Sequence, residues 1–102
     1  MNEDRILTEI VEKLRSTFEV HRILLFGSRA RGEATEDSDY DVLAEVESSE
    51  PFFRRQSLAL EPFRNRDWGM DLLVMTPEEV KRNDAIVGSA VYWALREGRV
   101  IS

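Results

Sequence analysis

A glycine turn and two closely spaced carboxylates lie within one stretch of the sequence, residues 27–41. This stretch reads GSRARGEATEDSDYD and separates two apolar runs, Ile23–Phe26 and Val42–Val46. Runs of this kind are typical of strands, so we expect a strand, a glycine turn, a loop and then a second strand. Because glycine has no Cβ, the turn at Gly27-Ser28 can bring backbone N–H groups close to a phosphate.

Asp39 and Asp41 are the carboxylates of this stretch that are placed for metal binding. They lie two residues apart at the start of the second strand, where the period of two puts both side chains on one face of the sheet. Carboxylates that close repel each other unless a cation lies between them. A phosphate-binding turn beside a divalent-cation site is suited to chemistry on a nucleoside triphosphate.

A third carboxylate, Asp71, begins the predicted strand Met70–Met75. A charged group beside the apolar residues of a strand is costly to bury, which marks Asp71 as a candidate site residue. If this strand lies beside the second strand, Asp71 reaches the Asp39/Asp41 pair, and the three carboxylates suit Mg²⁺ shared with substrate phosphates. Asp71 would then bind the metal nearer the acceptor and help to deprotonate an attacking hydroxyl.

The remaining sequence predicts the helices and strands that must position these residues. In chain order we expect a helix over residues 3–18, strands over 23–26 and 41–47, a helix that starts within 48–51, a strand over 70–75, a helix capped by Thr76, a last helix over 85–96 that ends at Gly98, and a short strand within 99–102. The helix after residue 51 should use Ser48 or Ser49 as its N-cap, kink or end at Pro62, and carry the apolar side chains of Phe52, Phe53, Leu58 and Leu60. The helix after Thr76 should begin with a capping box closed by Glu79.

Length and composition limit the class of protein. The chain has 102 residues, no cysteine and a formal net charge of −6, so we expect one domain over residues 1–102 with a single modest core. The acidic balance argues against direct binding to a nucleic-acid backbone, which requires a basic face. Because the sequence has no signal peptide, no membrane span and no disulfide, we expect a cytoplasmic protein without membrane contact.

The motif closely resembles the signature of a known superfamily. Gly27-Ser28, ten further residues and then Asp39-Tyr40-Asp41 match the DNA polymerase β-like nucleotidyltransferases. The fuller run, Gly-Ser-Arg-Ala-Arg-Gly followed by Ser-Asp-Tyr-Asp, is similar to the minimal nucleotidyltransferase (MNT) family, which includes the MntA-type antitoxins of HEPN/MNT toxin–antitoxin systems. The similarity extends over about residues 3–101, in the order of strands and helices as well as in the motif.

This resemblance implies a fold and a site. The fold is α+β, of the α/β type, with a small mixed β-sheet packed with helices. The residues that would bind the nucleotide, ATP, are Gly27, Ser28, Arg29, Arg31 and Ser38. The residues that would act in catalysis and ligate Mg²⁺ are Asp39, Asp41 and Asp71. Which of the two arginines faces the phosphates is open.

The resemblance also implies a partner. MNT antitoxins move AMP from ATP onto a tyrosine of a HEPN-domain RNase toxin, and we expect this chain to lack a further domain that would hold an acceptor. We therefore expect transfer of AMP to a hydroxyl of a HEPN toxin. Two alternatives stay open, namely neutralisation of the toxin by binding alone and nucleotidyl transfer to a small molecule such as an aminoglycoside.

Two features outside the motif have more than one interpretation. The segment Ala85–Leu95 is apolar nearly all round its predicted helix, which fits either a buried helix or a docking face for a partner. His21, the only histidine, is expected to be a partly exposed residue at the entrance of the first strand and not a catalytic group.

Overall fold

The computed structural model describes residues 3–102, which form a four-stranded sheet with helices against both faces. In chain order the elements are α1 (Glu3–Thr17), β1 (Glu19–Phe26), α2 (Ser28–Arg31), β2 (Tyr40–Glu47), α3 (Phe52–Leu60), a 3-10 turn (Glu61–Phe63), β3 (Met70–Met75), α4 (Pro77–Asn83), α5 (Ala90–Glu97) and β4 (Arg99–Val100). Among these helices, none has both the length and the apolar character needed to span a bilayer. The predicted domain over 1–102 stays a prediction, and residues 1 and 2 lie outside the described part.

The sheet is mixed, as predicted. Its strands lie in the order β3-β2-β1-β4, with β1 antiparallel to both of its neighbours and β2 parallel to β3. The parallel pair needs a crossover connection, which α3 supplies. The predicted α+β class with a small mixed sheet is therefore confirmed.

The two faces of the sheet bury different helices. On one face, α1 and α3 cover the larger core, in which Ile10 and Leu14 of α1 are fully buried. On the other face, Ala94 of α5 packs against Leu24 of β1 and Leu43 of β2. The alternation of β2 follows from its period of two, because its even-numbered apolar residues point to the larger core and Leu43 points to α5.

Strand β1 is longer than predicted, because it begins at Glu19 and not at Ile23. Its first half contains three polar residues beside Val20 and pairs with the Glu45–Glu47 end of β2, so the apolar run marked only the buried half. The register shifts between Val20 and Arg22, and the exposed His21 at this irregularity contacts Glu47. As predicted, His21 lies at the entrance of β1, at the far end from Gly27.

Helix α3 corrects the prediction of its N-cap. Its N-cap is Pro51, with no side-chain cap, while the Ser48 hydroxyl accepts a hydrogen bond from the Glu50 N–H within the preceding turn. The helix carries Phe52, Phe53, Leu58 and Leu60 as predicted, but Phe53 is 83% exposed and the buried residues of α3 are Arg55 and Ala59. The helix does end just before Pro62, as expected for a residue that lacks an N–H.

The last helix is shorter than predicted. The capping box of Thr76 and Glu79 begins α4 as expected, but α5 begins at Ala90, since Ser89 caps it by accepting from the Tyr92 N–H. Gly88, with φ 87°, turns the chain just before that cap. The segment 85–89 is therefore a turn, in which Ile86 and Val87 are exposed.

Candidate active site

The glycine turn after β1 places a carboxylate against backbone. Gly27 has φ 72°, in the left-handed region that favours glycine, and the residues after it form the short helix α2 where a loop was predicted. A Cβ at Gly27 would lie 2.1 Å from Oδ2 of Asp41. Glycine is therefore needed here twice, for its backbone conformation and because the Asp41 carboxylate occupies the space of a side chain.

Strand pairing places Asp41 and Asp71 side by side. Asp41 is the register partner of Phe26 across the antiparallel pair and of Asp71 across the parallel pair. The three side chains thus form a row across β1, β2 and β3 on the face that α5 covers. Asp41 is half-buried and Asp71 is exposed, so the row opens to solvent at β3.

Asp39 is held from a direction that the sequence analysis did not consider. A Cβ at Gly69 would lie 1.9 Å from Oδ1 of Asp39, and the Gly69 carbonyl accepts a hydrogen bond from the Tyr40 N–H at 3.0 Å. Gly69 therefore belongs to the candidate site, although no local motif in the sequence marks it. The available signal was a glycine two residues before the third carboxylate.

Tyr40 lies between the two aspartates but points away from them. Its ring is buried in the larger core, under the Arg29 guanidinium at 4.0 Å, and its hydroxyl finds no hydrogen-bond partner among residues 3–102. Burial raises the pKa of the Tyr40 hydroxyl above its usual value. Tyr40 is thus a core residue that fixes the start of β2.

The carboxylates influence one another electrostatically. Burial raises the pKa of Asp41, and the charges of Asp71 and Asp39 raise it further, while Arg31 lowers it. A raised pKa means that the ionised form of Asp41 is disfavoured in the protein by itself. A cation at this point would relieve that cost.

The donor set fits a metal that is shared with a substrate. No group of three or more acidic, histidine or cysteine side chains within residues 3–102 is arranged as a ready metal cage. Mg²⁺ is usually held by one or two carboxylates, water and substrate phosphates, so it does not require such a cage. Two carboxylates seated against glycines and a third in register with one of them satisfy that lesser requirement.

Arg31, and not Arg29, faces the carboxylates. Arg31 lines one cleft together with Gly27, Ser28 and Asp41, and it pairs with Glu33 and Glu97 at 2.9 Å. Arg29 points to the other side of α2, where its guanidinium donates to the carbonyl of Ser38 at 2.8 Å.

The contacts of Arg29 and Ser38 shape the motif loop. Arg29 also donates to the carbonyls of Thr35 and Glu36, and the Ser38 hydroxyl accepts from the Thr35 N–H at 3.0 Å. These bonds close the loop that leads into β2. The structure therefore brings five of the eight predicted residues to two adjoining clefts, namely Gly27, Ser28, Arg31, Asp41 and Asp71. Asp39 lies against Gly69, close enough for its charge to raise the pKa of Asp41, and Arg29 and Ser38 line a different cleft.

Two adjoining clefts meet at Asp41. One, of about 500 Å³, is lined by Phe26, Gly27, Ser28, Arg31, Asp41, Trp93 and Glu97. The other, of about 270 Å³, is lined by Phe26, Asp41, Asp71, Leu72, Leu73 and Ala90. A charged ligand bound in the first cleft and an acceptor group that approaches through the second cleft would therefore meet at Asp41.

The chain is similar to proteins of one family. The nucleotidyltransferase domain family matches residues 7–99. A candidate protein adenylyltransferase of Methanocaldococcus jannaschii is 47% identical over 45 residues, 42% of this chain and 45% of that protein. The protein adenylyltransferase MntA of Thermococcus cleftensis is 50% identical over 44 residues, 43% of this chain and 44% of that protein. The matched part therefore spans less than half the length of these two relatives.

Longer matches extend the similarity over most of the chain. A second candidate protein adenylyltransferase of M. jannaschii is 34% identical over 79 residues, 72% of this chain and 78% of that protein. A toxin–antitoxin crystallised with AMP-PNP shares the fold, with a TM-score of 0.66 and 21% identity over 94% of this chain and 72% of that one. A structure described as a candidate nucleotidyltransferase of Sulfolobus solfataricus has a TM-score of 0.63 and 25% identity over 94% of this chain and 78% of that one.

Proposed function

Because the chain belongs to the nucleotidyltransferase domain family, we propose that it transfers AMP from ATP to a hydroxyl group of a partner protein. The observation that carries this proposal is the contact of the glycine turn with a carboxylate, where a Cβ at Gly27 would lie 2.1 Å from Asp41 Oδ2. A turn suited to phosphate and a carboxylate suited to a cation are thereby adjacent. We further propose that the protein acts in the cytoplasm, where ATP is available as the donor.

We assign the metal site to Asp39, Asp41 and Asp71. When bound, Mg²⁺ supplies the positive charge that neutralises the phosphates and the leaving pyrophosphate. Asp39 and Asp41 are positioned for this by the glycines against which they lie. Asp71, in register with Asp41, lies on the side of the second cleft and takes the proton of the attacking hydroxyl.

We assign the triphosphate to the cleft of about 500 Å³. There the Gly27-Ser28 turn and the Arg31 guanidinium bind phosphate oxygens. The acceptor oxygen forms a bond to the α-phosphorus, the bond from that phosphorus to the bridging oxygen breaks, and pyrophosphate leaves. Arg29 and Ser38 contribute indirectly, by closing the loop that carries Asp39.

We propose that the acceptor is a toxin. Support comes from relatives named protein adenylyltransferase, one of them MntA, and from a fold neighbour crystallised as a toxin–antitoxin with AMP-PNP. The family resemblance points further, to a tyrosine of a HEPN-domain RNase. The cleft beside Asp71, lined by Phe26, Leu73 and Ala90, gives such a side chain an apolar approach to the carboxylates.

The test is the intact mass of a candidate HEPN toxin after incubation with this protein, ATP and Mg²⁺. We expect mass to be added in units of AMP, and the addition to be lost with EDTA and in the double variant Asp39→Asn, Asp41→Asn. The rate should fall by more than roughly a hundredfold, which is about the largest loss caused by removing a residue that only contacts a metal ligand. Asp37→Asn is the matched control, since Asp37 is an exposed carboxylate of the same loop that lines neither cleft at Asp41.

A second candidate function is neutralisation by binding alone. It is favoured by the exposed apolar side chains around α5, namely Ile86, Val87 and Trp93. If the double variant still silences the toxin at stoichiometric amounts and no mass is added by the unmodified protein, binding is the function and the proposed transfer is wrong.

A further inference from the structure

A carboxylate of the chain itself already binds the donors of the glycine turn. Glu97 is the last residue of α5, and its Oε1 accepts a hydrogen bond from the Gly27 N–H at 3.3 Å and from Nη1 of Arg31 at 2.9 Å. The two donors lie at the N-cap and at the last residue of α2, and they converge on one oxygen. A phosphate oxygen would be bound by the same kind of pair, a backbone N–H and a guanidinium.

The position of Glu97 is inside the proposed triphosphate cleft. Its side chain is 24% exposed and lines that cleft together with Ser28 and Asp41. Arg31 has a second partner, Glu33, which binds its Nε at 2.9 Å. Glu33 does not line the cleft, and its side chain is 64% exposed. Both glutamates therefore pair with Arg31, but only Glu97 lies inside the cleft.

We propose that Glu97 is an internal competitor for phosphate, and that it determines which nucleotides this site accepts. The inference rests on the proposed function, because it takes the Gly27 turn and Arg31 as the triphosphate donors. A nucleotide must displace the Glu97 carboxylate from Gly27 and Arg31, and it must do so close to Asp41, whose charge also repels phosphate.

The competitor discriminates between ligands by charge and by number of contacts. A nucleoside triphosphate offers several phosphate oxygens to the donors of the cleft, and its divalent cation offsets the negative charge of the carboxylates. Its contacts therefore outweigh the cost of displacing Glu97 from Gly27 and Arg31. A monophosphate or inorganic phosphate has fewer contacts to gain. Glu97 therefore weakens the binding of AMP relative to ATP, and so limits occupation of the site by free AMP or inorganic phosphate.

The experiment is a comparison of dissociation constants by calorimetry for MgATP and for AMP, with Glu97→Gln beside Glu33→Gln. Glutamine keeps the shape and the acceptor oxygen of Glu97 and removes only its charge. We expect Glu97→Gln to bind MgATP about fivefold to tenfold more tightly and AMP to gain by a larger factor. An equal gain for the two ligands would overturn the claim that Glu97 discriminates between them. Glu33→Gln, which removes an equal charge from the same arginine outside the cleft, should stay within about twofold of the unmodified protein.

The outcomes separate this inference from the function on which it rests. If the unmodified protein binds no MgATP, the nucleotide site itself is wrong. If it binds MgATP but Glu97→Gln binds it equally or less tightly, Glu97 supports the cradle and does not compete for it, and the inference is overturned. An equal gain in Glu33→Gln would also overturn it, because the effect would then come from overall charge and not from the place that Glu97 occupies.

Discussion

Gly27 and Gly69 decide where the carboxylates of Asp41 and Asp39 lie. Each glycine leaves a space that a carboxylate oxygen fills, about where a Cβ would be. They differ in backbone conformation, because Gly27 has a positive φ and Gly69 is not among the glycines with positive φ. A substitution at Gly27 therefore combines backbone strain with displacement of Asp41, whereas a substitution at Gly69 isolates the displacement of Asp39.

We predict that Gly69→Ala separates activity from stability. The methyl group would lie 1.9 Å from Asp39 Oδ1, which is the far end of a side chain that can rotate away. The free energy of unfolding should fall by less than about 1 kcal/mol, while the rate of AMP transfer should fall roughly tenfold to a hundredfold because a ligand is misplaced.

Thermal unfolding and the intact-mass rate assay measure the two effects of Gly69→Ala. Asp39→Asn sets the reference for complete loss of that ligand. Full activity in a folded Gly69→Ala protein would show that the Asp39 carboxylate is not needed where the structure places it.

At the scale of elements, one buried arginine joins β3 to two helices. Arg55 of α3 is 3% exposed, and its guanidinium donates to the Val74 carbonyl at the end of β3, to the Glu50 carbonyl and to the Glu79 carboxylate of α4. These bonds satisfy most of the hydrogen-bond donors of the guanidinium, whose charge would otherwise be costly to bury. Since β3 carries Asp71, this network helps to set the position of the third carboxylate.

We predict that Glu79→Gln destabilises the protein in a pH-dependent way. The hydrogen bond from Arg55 is the main reason that the pKa of Glu79 is lowered from the usual 4.5. A lowered pKa in the folded state means that the ionised carboxylate contributes stability above pH 4.5, and that this contribution is lost as the pH falls through the lowered value. At pH 7 the variant should lose about 2–3 kcal/mol, because the Arg55 guanidinium stays buried without its counter-charge.

Urea unfolding at a series of pH values from 7 to about 3 measures this effect. The difference between Glu79→Gln and the unmodified protein should be full at pH 7 and shrink below 4.5. Glu78→Gln is the control, because its 83% exposed side chain pairs only loosely with Arg82 at 3.6 Å, so its effect should be under about 0.5 kcal/mol. A pH-independent difference for Glu79→Gln would mean that packing, and not the ion pair, accounts for the loss.

At the scale of the whole molecule, the clefts determine from which side a partner must come. Asp71 is exposed and shares its cleft with Ala90, the first residue of α5. An acceptor that reaches Asp71 must therefore cover the surface around the start of α5, where Val87 is 77% exposed. In segment 85–95, Val91 and Ala94 are buried as the first predicted alternative requires, whereas Val87 and Trp93 are exposed; the docking face stays a prediction.

We predict that Val87→Asp weakens the complex with the toxin at least tenfold and leaves MgATP binding unchanged. In the complex, a charged side chain at position 87 would be buried in an apolar contact without a partner for its charge. In the free protein, the same side chain is exposed and solvated. Phe53→Asp is the control, since Phe53 is 83% exposed on α3, which packs on the opposite face of the sheet.

Calorimetry with the toxin and with MgATP measures both properties. If both substitutions weaken the complex equally, or if neither weakens it, the partner does not bind at the start of α5. A loss of MgATP binding in Val87→Asp would instead show that the change disturbs the nucleotide cleft.

The sequence by itself determined the features that depend on near neighbours in the chain. The strand, turn and strand around residues 27–41, the capping box of α4 and the start of β3 were all predicted, because turn chemistry, capping and the period of two act over a few residues. The same local signals identified the carboxylates and the glycine turn. They misplaced the N-cap of α3, which is Pro51 without a side-chain cap, and the start of α5, where Ser89 caps the helix later than the apolar run begins.

Only the tertiary structure decided the contacts between distant residues. Arg31 and not Arg29 faces the carboxylates because of the side of α2 that is turned toward β2. The position of Asp39 depends on Gly69, a residue 30 positions later in the loop before β3. The contact of Glu97 with Gly27 joins residues 70 apart, and the burial of Arg55 requires a carboxylate from α4. These features arise from the parallel pairing of β2 with β3 and from the packing of α5 on the sheet, which no local pattern specifies.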